Sequence, residues 1–347
     1  MTSFSTRLIA WQRVEGRNDL PWQGEDAYHV WLSEIMLQQT QVATVIPYYL
    51  RFIASFPTIS ALAAATEEQV LVHWSGLGYY ARGRNLHRAA LIIAEKYHGE
   101  FPREFDQIFE LPGIGRSTAS AICALAFHER RAILDGNVKR VLARYCGIEG
   151  WAGERKVEEK LWQQAEALLP ERDIAAYIQA QMDLGATLCT RSRPKCSECP
   201  VHSDCMAFRS GRVGELPTPR SRKAIPERHA TFLLLMHGND ILLERRPGSG
   251  VWGGLWCPPQ LEDRQGIVEN FVQRGGMKVS ERIELAGFTH AFTHFKLRIT
   301  PALLRLAHKP HRVQQPGSVW LDVEEALQAA IPTPVRKVLE ELLKRHS

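Results

Sequence analysis

No apolar run approaches the roughly 18 residues needed to cross a bilayer; the longest, such as Phe232 to Met236, stop far short. The N-terminus also lacks a signal-peptide stretch, because Arg7, Arg13 and Glu15 interrupt it. A cytoplasmic or nucleoid location with no membrane partner is therefore expected. Neither sign of charge dominates. The 43 Lys and Arg against 38 Asp and Glu leave +5, and the pI of about 8.8 falls below the guide of about 9 for a nucleic-acid-binding domain. Charge is compatible with a polyanionic partner without requiring one. Cysteine is scarce, seven in 347 residues, and four of the seven crowd between Cys189 and Cys205. That distribution speaks against a secreted disulfide scaffold and for a metal site in a reducing compartment. Cys123, Cys146 and Cys257 read as buried structural residues. Strand-like alternation is missing from Thr6 to about Phe208, which leaves a helical pattern broken by short Gly, Pro and Asn/Asp turns.

What is present is organised around Leu111 to Arg140. In Leu111-Pro112-Gly113-Ile114-Gly115, Pro112 stops a helix through Phe105, Ile108 and Phe109, and two glycines free the backbone for φ > 0. A second helix follows with Ile114, Ala121, Ile122 and Leu125 at helical spacing. A helix-hairpin-helix results, with backbone N–H groups left pointing outward as a phosphate needs. Next, Asp135 and Asn137 are both able to cap a helix whose apolar face is Val138, Val141, Leu142 and Tyr145. Taken alone, the glycine pair equally fits an ordinary αα-corner, and Asp135 a cap with no other duty.

A helix from about Ala27 carries Tyr28, Trp31, Leu32 and Ile35 on one stripe, with Glu34 and Gln38 along its border. Gln38 to Gln41 then offers amides suited to base edges. Gly76 to Arg82 is a break in which Tyr79 and Tyr80 are placed to wedge or stack against bases, with Tyr80 the better candidate for burial. The spacing Cys189-x6-Cys196-x2-Cys199-x5-Cys205 has one short gap instead of two close pairs, so it fits a cubane iron–sulfur cluster better than a structural zinc. Residues 209–229 form a Pro-containing linker with six Lys/Arg and two Glu. From Ala230 strands appear at Phe232 to Met236, Ile241 to Glu244, Ile283 to Ala286 and Phe295 to Pro301, with helices near Ile267 to Gln273 and Val335 to Lys344. The length prior agrees with more than one domain.

With the hairpin, the cysteine spacing and Trp31-Leu32-Ser33-Glu34-Ile35-Met36-Leu37-Gln38-Gln39-Thr40-Gln41 together, the chain resembles adenine DNA glycosylases of the MutY type over nearly its whole length. The resemblance implies a multidomain chain. Residues 1–208 would be an all-α helix-hairpin-helix glycosylase domain with a 4Fe-4S motif at 189–205, 209–229 the linker, and 230–347 an α+β Nudix-like domain that recognises 8-oxoguanine. It implies removal of adenine mispaired with 8-oxoguanine or guanine in double-stranded DNA, by a monomer.

By motif, Glu34 becomes the general acid, Asp135 the stabiliser of a cationic deoxyribose, and Asn137 an orienting group. Gln38 and Tyr79 would enter the duplex, Gly113 and Gly115 would grip phosphate, and Trp22 and Gln179 would line the adenine pocket. Cys189, Cys196, Cys199 and Cys205 would hold the cluster, and Phe292-Thr293-His294 would stand where relatives read Phe-Ser-His. Ser117 occupies the place of the lysine by which endonuclease III-type relatives also cut the strand, so a monofunctional, hydrolytic enzyme is expected. The alternatives are a bifunctional glycosylase/lyase or a non-catalytic lesion-binding module. No R-E-x-x-E-E run follows Trp252-Gly253-Gly254-Leu255-Trp256, so nucleotide hydrolysis by the last domain is not expected.

Overall fold

The structure, a computed structural model, describes residues 3–220, 224–262, 267–274, 276–309 and 317–346; residues 221–223 of the expected linker lie outside them. Two units form, Met1–Ala64 with Asn85–Arg222, and Ala65–Arg84 with Lys223–Ser347.

The first unit is helical among its described residues. Helix Ala27–Leu37 starts where the Asp26 side chain accepts from His29 N, and it buries Tyr28, Trp31, Leu32, Ile35 and Met36. Burying each such large side chain contributes about 1.5–3 kcal/mol. Helix Phe105–Phe109 stops before Pro112, and helix Arg116–Ala126 follows the turn. The expectation that both hairpin glycines use positive φ holds only for Gly113, at φ +82°, where a Cβ would also lie 2.8 Å from Asn85 Cβ. Gly115 is extended, at φ −97° and ψ 171°, because it is the N-cap of the second helix and an N-cap takes β geometry. A Cβ there would meet nothing within 4 Å, so Gly115 leaves open space in front of the helix start.

Helix Gly136–Tyr145 is capped by Asp135, whose Oδ1 accepts from Val138 N at 2.7 Å, and of the two candidate caps it is the one used. Its Val138, Val141 and Leu142 join Leu8, Leu161, Tyr177 and Ile178 in one core. Cys123 is buried as expected, but Cys146 is half-buried, since it falls at the C-cap of this helix instead of on its inner face. Helix Ile174–Asp183 runs into a π-helical turn, Leu184–Leu188, that delivers Cys189. One widened turn of this kind re-aims the residues after it.

The second unit holds helix Glu67–Trp74, with a Thr66/Gln69 capping box, and a mixed sheet. Its strands are β1 (Glu227–His237), β2 (Asp240–Arg245), β3 (Trp256–Cys257), β4 (Gln260–Glu262), β5 (Val279–Glu284), β6 (Phe288–Ala291), β7 (Lys296–Leu306) and β8 (Ser318–Asp322). β1 and β7 run parallel in register Glu227↔Lys296 to Met236↔Arg305, and the remaining pairings are antiparallel. Leu233, Leu235, Leu242 and Leu304 form the core on one face. Among the described residues helices Ile267–Arg274, Val323–Gln328 and Thr333–His346 complete this unit. No helix of the described residues is long and apolar enough to cross a membrane.

Candidate active site and cluster pocket

Glu34 and Asp135 reach one electrostatic neighbourhood from two helices, Glu34 from within Ala27–Leu37 and Asp135 from the cap of Gly136–Tyr145. Their environments differ in kind. Glu34 retains partial solvent access, yet the surrounding protein desolvates it and the nearby Asp135 charge adds to that, pushing its carboxyl up to about 8. Burial also raises Asp135, but four groups oppose that: the Val138 N–H first, then Arg140, the Asn137 N–H and Lys139. Nothing comparable favours a charged Glu34. Burial raises both carboxyls, and of the two Asp135 is the one whose charged form its neighbours favour.

Asn137 Oδ1 accepts from Arg140 Nη2 at 2.8 Å, and the same guanidinium donates to the Gly185 carbonyl at 2.7 Å and the Cys189 carbonyl at 2.7 Å. A Cβ on Gly185 would sit 2.5 Å from Asn137 Cβ, so this close approach needs glycine. Arg140 thus ties the segment after Asp135 to the first of the four clustered cysteines. One turn on, Arg144 is 3% exposed and bonds the carbonyls of Leu216, Thr190 and Arg191 and, at 3.4 Å, Cys189 Sγ. No carboxylate among the described residues meets it.

Cys189, Cys196, Cys199 and Cys205 line one cavity together with Val141, Leu184 and other apolar side chains, and with Arg144. Burial first, then neighbouring thiols, pushes Cys199 up to about 11. Thiols that oppose one another's ionisation give up their protons to a cationic centre. Among the described residues no three His, Cys, Asp or Glu side chains converge on a point as single-ion ligands. A buried arginine with no carboxylate partner among the described residues, a largely apolar wall and four thiols on one cavity fit an anionic multi-iron cluster.

At the hairpin, Ser117 Oγ accepts from Leu134 N at 3.0 Å, fixing the approach to Asp135. Gln38 Nε2 lies 3.4 Å from Thr118 Oγ1. Trp22 is buried edge-on to Tyr49, ring centroids 5.2 Å apart. Gln179 is buried and donates to Asp183, which also binds Arg17. Lys139 is committed to Glu158 at 2.7 Å.

In the second unit the turn after helix Glu67–Trp74 separates its two tyrosines. Tyr80 is 8% exposed, whereas Tyr79 is 47% exposed at φ +48°. Tyr79 Oη is 2.9 Å from Thr293 Oγ1. Arg82, beside the tyrosines, turns inward and donates to the Gly78 carbonyl at 3.1 Å, bracing that turn. Phe292 stacks on Phe295 with centroids 4.4 Å apart, and its N–H bonds the Phe295 carbonyl, so the β6–β7 connection is a tight loop. His294 flanks the Phe295 ring.

Comparison with known proteins decides the family. Residues 32–167 match the model of the HhH-GPD superfamily base excision DNA repair proteins, and residues 230–341 match that of the NUDIX domain. An adenine DNA glycosylase from Buchnera aphidicola subsp. Acyrthosiphon pisum is 37% identical over 98% of this chain and 98% of its own length. The chain belongs to the adenine DNA glycosylase family. The human family member is 35% identical over 97% of this chain and 73% of its own. Among solved structures, a thermostable thymine-DNA glycosylase aligns with TM-score 0.55 and 27% identity, covering 60% of this chain and 95% of that one. The expected architecture, an all-α helix-hairpin-helix glycosylase followed by an α+β Nudix-like domain, agrees with these two matches, and the second domain carries a mixed sheet.

Arg17, Arg140, Arg144 and Asp183 were not singled out in the sequence. Arg140 and Arg144 carried a weak signal, two arginines one turn apart just after Asp135-Gly136-Asn137, but a charged pair at that spacing is more often solvated.

Proposed function

We propose that this chain hydrolyses the N-glycosidic bond of adenine mispaired with 8-oxoguanine or guanine in duplex DNA, and that it does so as a monomer acting on nucleoid DNA. The observation that carries this reading is the pairing of two desolvated carboxyls from different helices, of which only Asp135 has N–H donors and cations favouring its charged form. The target nucleotide leaves the stack, since its bond is inaccessible within it. Neutral Glu34 gives its proton to a ring nitrogen of the adenine, and the C1′–N bonding pair departs with the base. The sugar becomes oxocarbenium-like, and anionic Asp135 stabilises it. Water adds to C1′ and returns a proton to the Glu34 carboxylate, leaving free adenine and an abasic site. This division resembles the two-carboxylate scheme of glycosidases.

Water is the nucleophile in this reading because neither residue 117 nor Lys139 offers a free amine in its place. Residue 117 is a serine bonded to Leu134, and Lys139 is paired with Glu158. Gly113 and Gly115 present hairpin amides to phosphate, Gln38 enters the duplex, and Trp22 and Gln179 line the adenine pocket. In the second unit Tyr79 also enters the duplex, and the Phe292-Thr293-His294 loop reads 8-oxoguanine. Thr293 keeps the hydroxyl that a serine would supply, and its bond to Tyr79 joins the wedge to the reading loop. Incubated with a duplex carrying A opposite 8-oxoguanine, the protein should release free adenine and leave a strand that breaks only on heating with alkali. A nick without alkali, or no adenine, would overturn the proposal.

The four thiols would hold a 4Fe-4S cluster, which when bound ties Cys189 through Cys205 into one rigid knot. Arg144 would donate to the Cys189 sulfur and offset the negative charge of the ligand set. Purified protein should then carry about four iron and four sulfide per chain. Arg144→Met should lower the iron retained after chelator challenge at least about twofold, because it removes the sulfur donor and three carbonyl clamps together. Equal retention would show that Arg144 only packs.

A further inference from the structure

Asp183 ends helix Ile174–Asp183 with no exposed surface. A carboxylate so enclosed needs donors, and four meet it: Arg17 N at 2.9 Å, Arg17 Nε at 2.7 Å, Arg17 Nη2 at 2.6 Å and Gln179 Nε2 at 2.8 Å. The guanidinium neutralises the charge. The bond to Gln179 does something different.

A side-chain amide can turn either its carbonyl or its NH2 toward a site, and which one it shows is set by its partners. An ionised carboxylate only accepts, so Asp183, one turn along the helix, holds the Nε2 end of Gln179. Oε1 is then left over. Among the described residues nothing donates to it, and the residue is 8% exposed, so whatever enters beside Gln179 must supply that donor or leave the oxygen unmatched.

We propose that Asp183 is a positioning residue that locks the Gln179 amide with its carbonyl toward the base, so that the site selects a base bearing an exocyclic amino group over one lacking it. The inference rests on the placement of Gln179 in the adenine pocket and adds how that residue discriminates. It separates two properties that a rate alone confounds: how fast a base leaves, and how strongly its amino group is read.

The test is the ratio of single-turnover release rates for adenine and for unsubstituted purine, each opposite 8-oxoguanine, in the full-length protein. Leaving-group differences cancel when each variant's ratio is divided by that of the wild type. Asp183→Leu removes the acceptor and frees the amide to turn, so the ratio should fall about tenfold, the loss of one good hydrogen bond. Adding Gln179→Glu should restore it, because a carboxylate accepts with either oxygen and also gives Arg17 a new counter-charge.

A purely structural Asp183 would slow both bases alike, with an unchanged ratio in the single variant, and the second substitution would restore nothing specific to the amino group. Either result overturns the inference. If Asp183→Leu fails to fold with Arg17 uncompensated, the double variant carries the test alone: its ratio should match the wild type, and a lowered ratio would refute the proposal. Wild-type protein that releases no adenine would instead reject the proposed function, so the two failures are distinguishable.

Discussion

Glu34→Gln should lower adenine release from an A opposite 8-oxoguanine duplex by about 10²–10⁴-fold, the range lost with a positioned general acid. Binding of the duplex should persist, since Gln preserves the size and polarity of the side chain. Stability should move the other way. Burial, and then the Asp135 charge, push the Glu34 carboxyl up to about 8, against an ordinary carboxyl near 4.5. The stabilisation from holding that proton is fully present below about pH 4.5 and is lost as pH rises toward 8, where ionising the desolvated carboxyl becomes the cost of folding. Gln carries no such cost. The variant should therefore be more stable than the wild type at pH 8, by on the order of a few kcal/mol, and so melt higher there, while melting nearly with it at pH 4.5. Thermal denaturation at the two pH values checks this, and a variant that is inactive but also less stable at pH 8 would mark Glu34 as a structural group.

Asp135 should divide its two duties between two substitutions. Asp135→Asn keeps an oxygen for the Val138 N–H and so keeps the helix cap, while removing the anion. Release should fall about 10²–10³-fold, with melting close to that of the wild type. Asp135→Ala should lose as much activity and, in addition, about 1 kcal/mol of stability with the cap. A further consequence follows from the coupling of the two acids. The Asp135 charge helps to raise Glu34, so in the residual activity of Asp135→Asn the alkaline fall should begin at lower pH than in the wild type. Single-turnover rates and melting curves on the two variants distinguish a capping residue from one that is also an electrostatic partner.

Sequence reasoning reached the helical first unit and the longer strands of the second because periodicity over eight or more residues, or a long apolar run, leaves little choice of element. Glu67–Trp74 read as a helix, but its grouping with the second unit depends on long-range packing that no local pattern carries. β3, β4, β6 and β8 span two to five residues, too short for alternation to register. Asp135 was legible as a cap because capping chemistry is local. What makes it more than a cap, a shared environment with Glu34 a hundred residues earlier, exists only once two helices are packed. The hairpin glycines show the same limit. A glycine pair suggests two left-handed residues, yet Gly115 is extended because the helix start at Arg116 dictates an N-cap there. Arg144 and Asp183 were hidden most completely, since a charged residue becomes informative only when burial is known.

Whether Glu34 is a neutral acid beside an anionic Asp135 is decided by the pH dependence of kcat/KM for adenine release, because that parameter reports ionisations of the free enzyme. The rate should be level through neutrality and fall as a single proton is lost near pH 8, and the residual rate of a Glu34→Gln protein should show no such fall. A wild-type rate that climbs through pH 8, or stays flat to pH 10, would rule that assignment out.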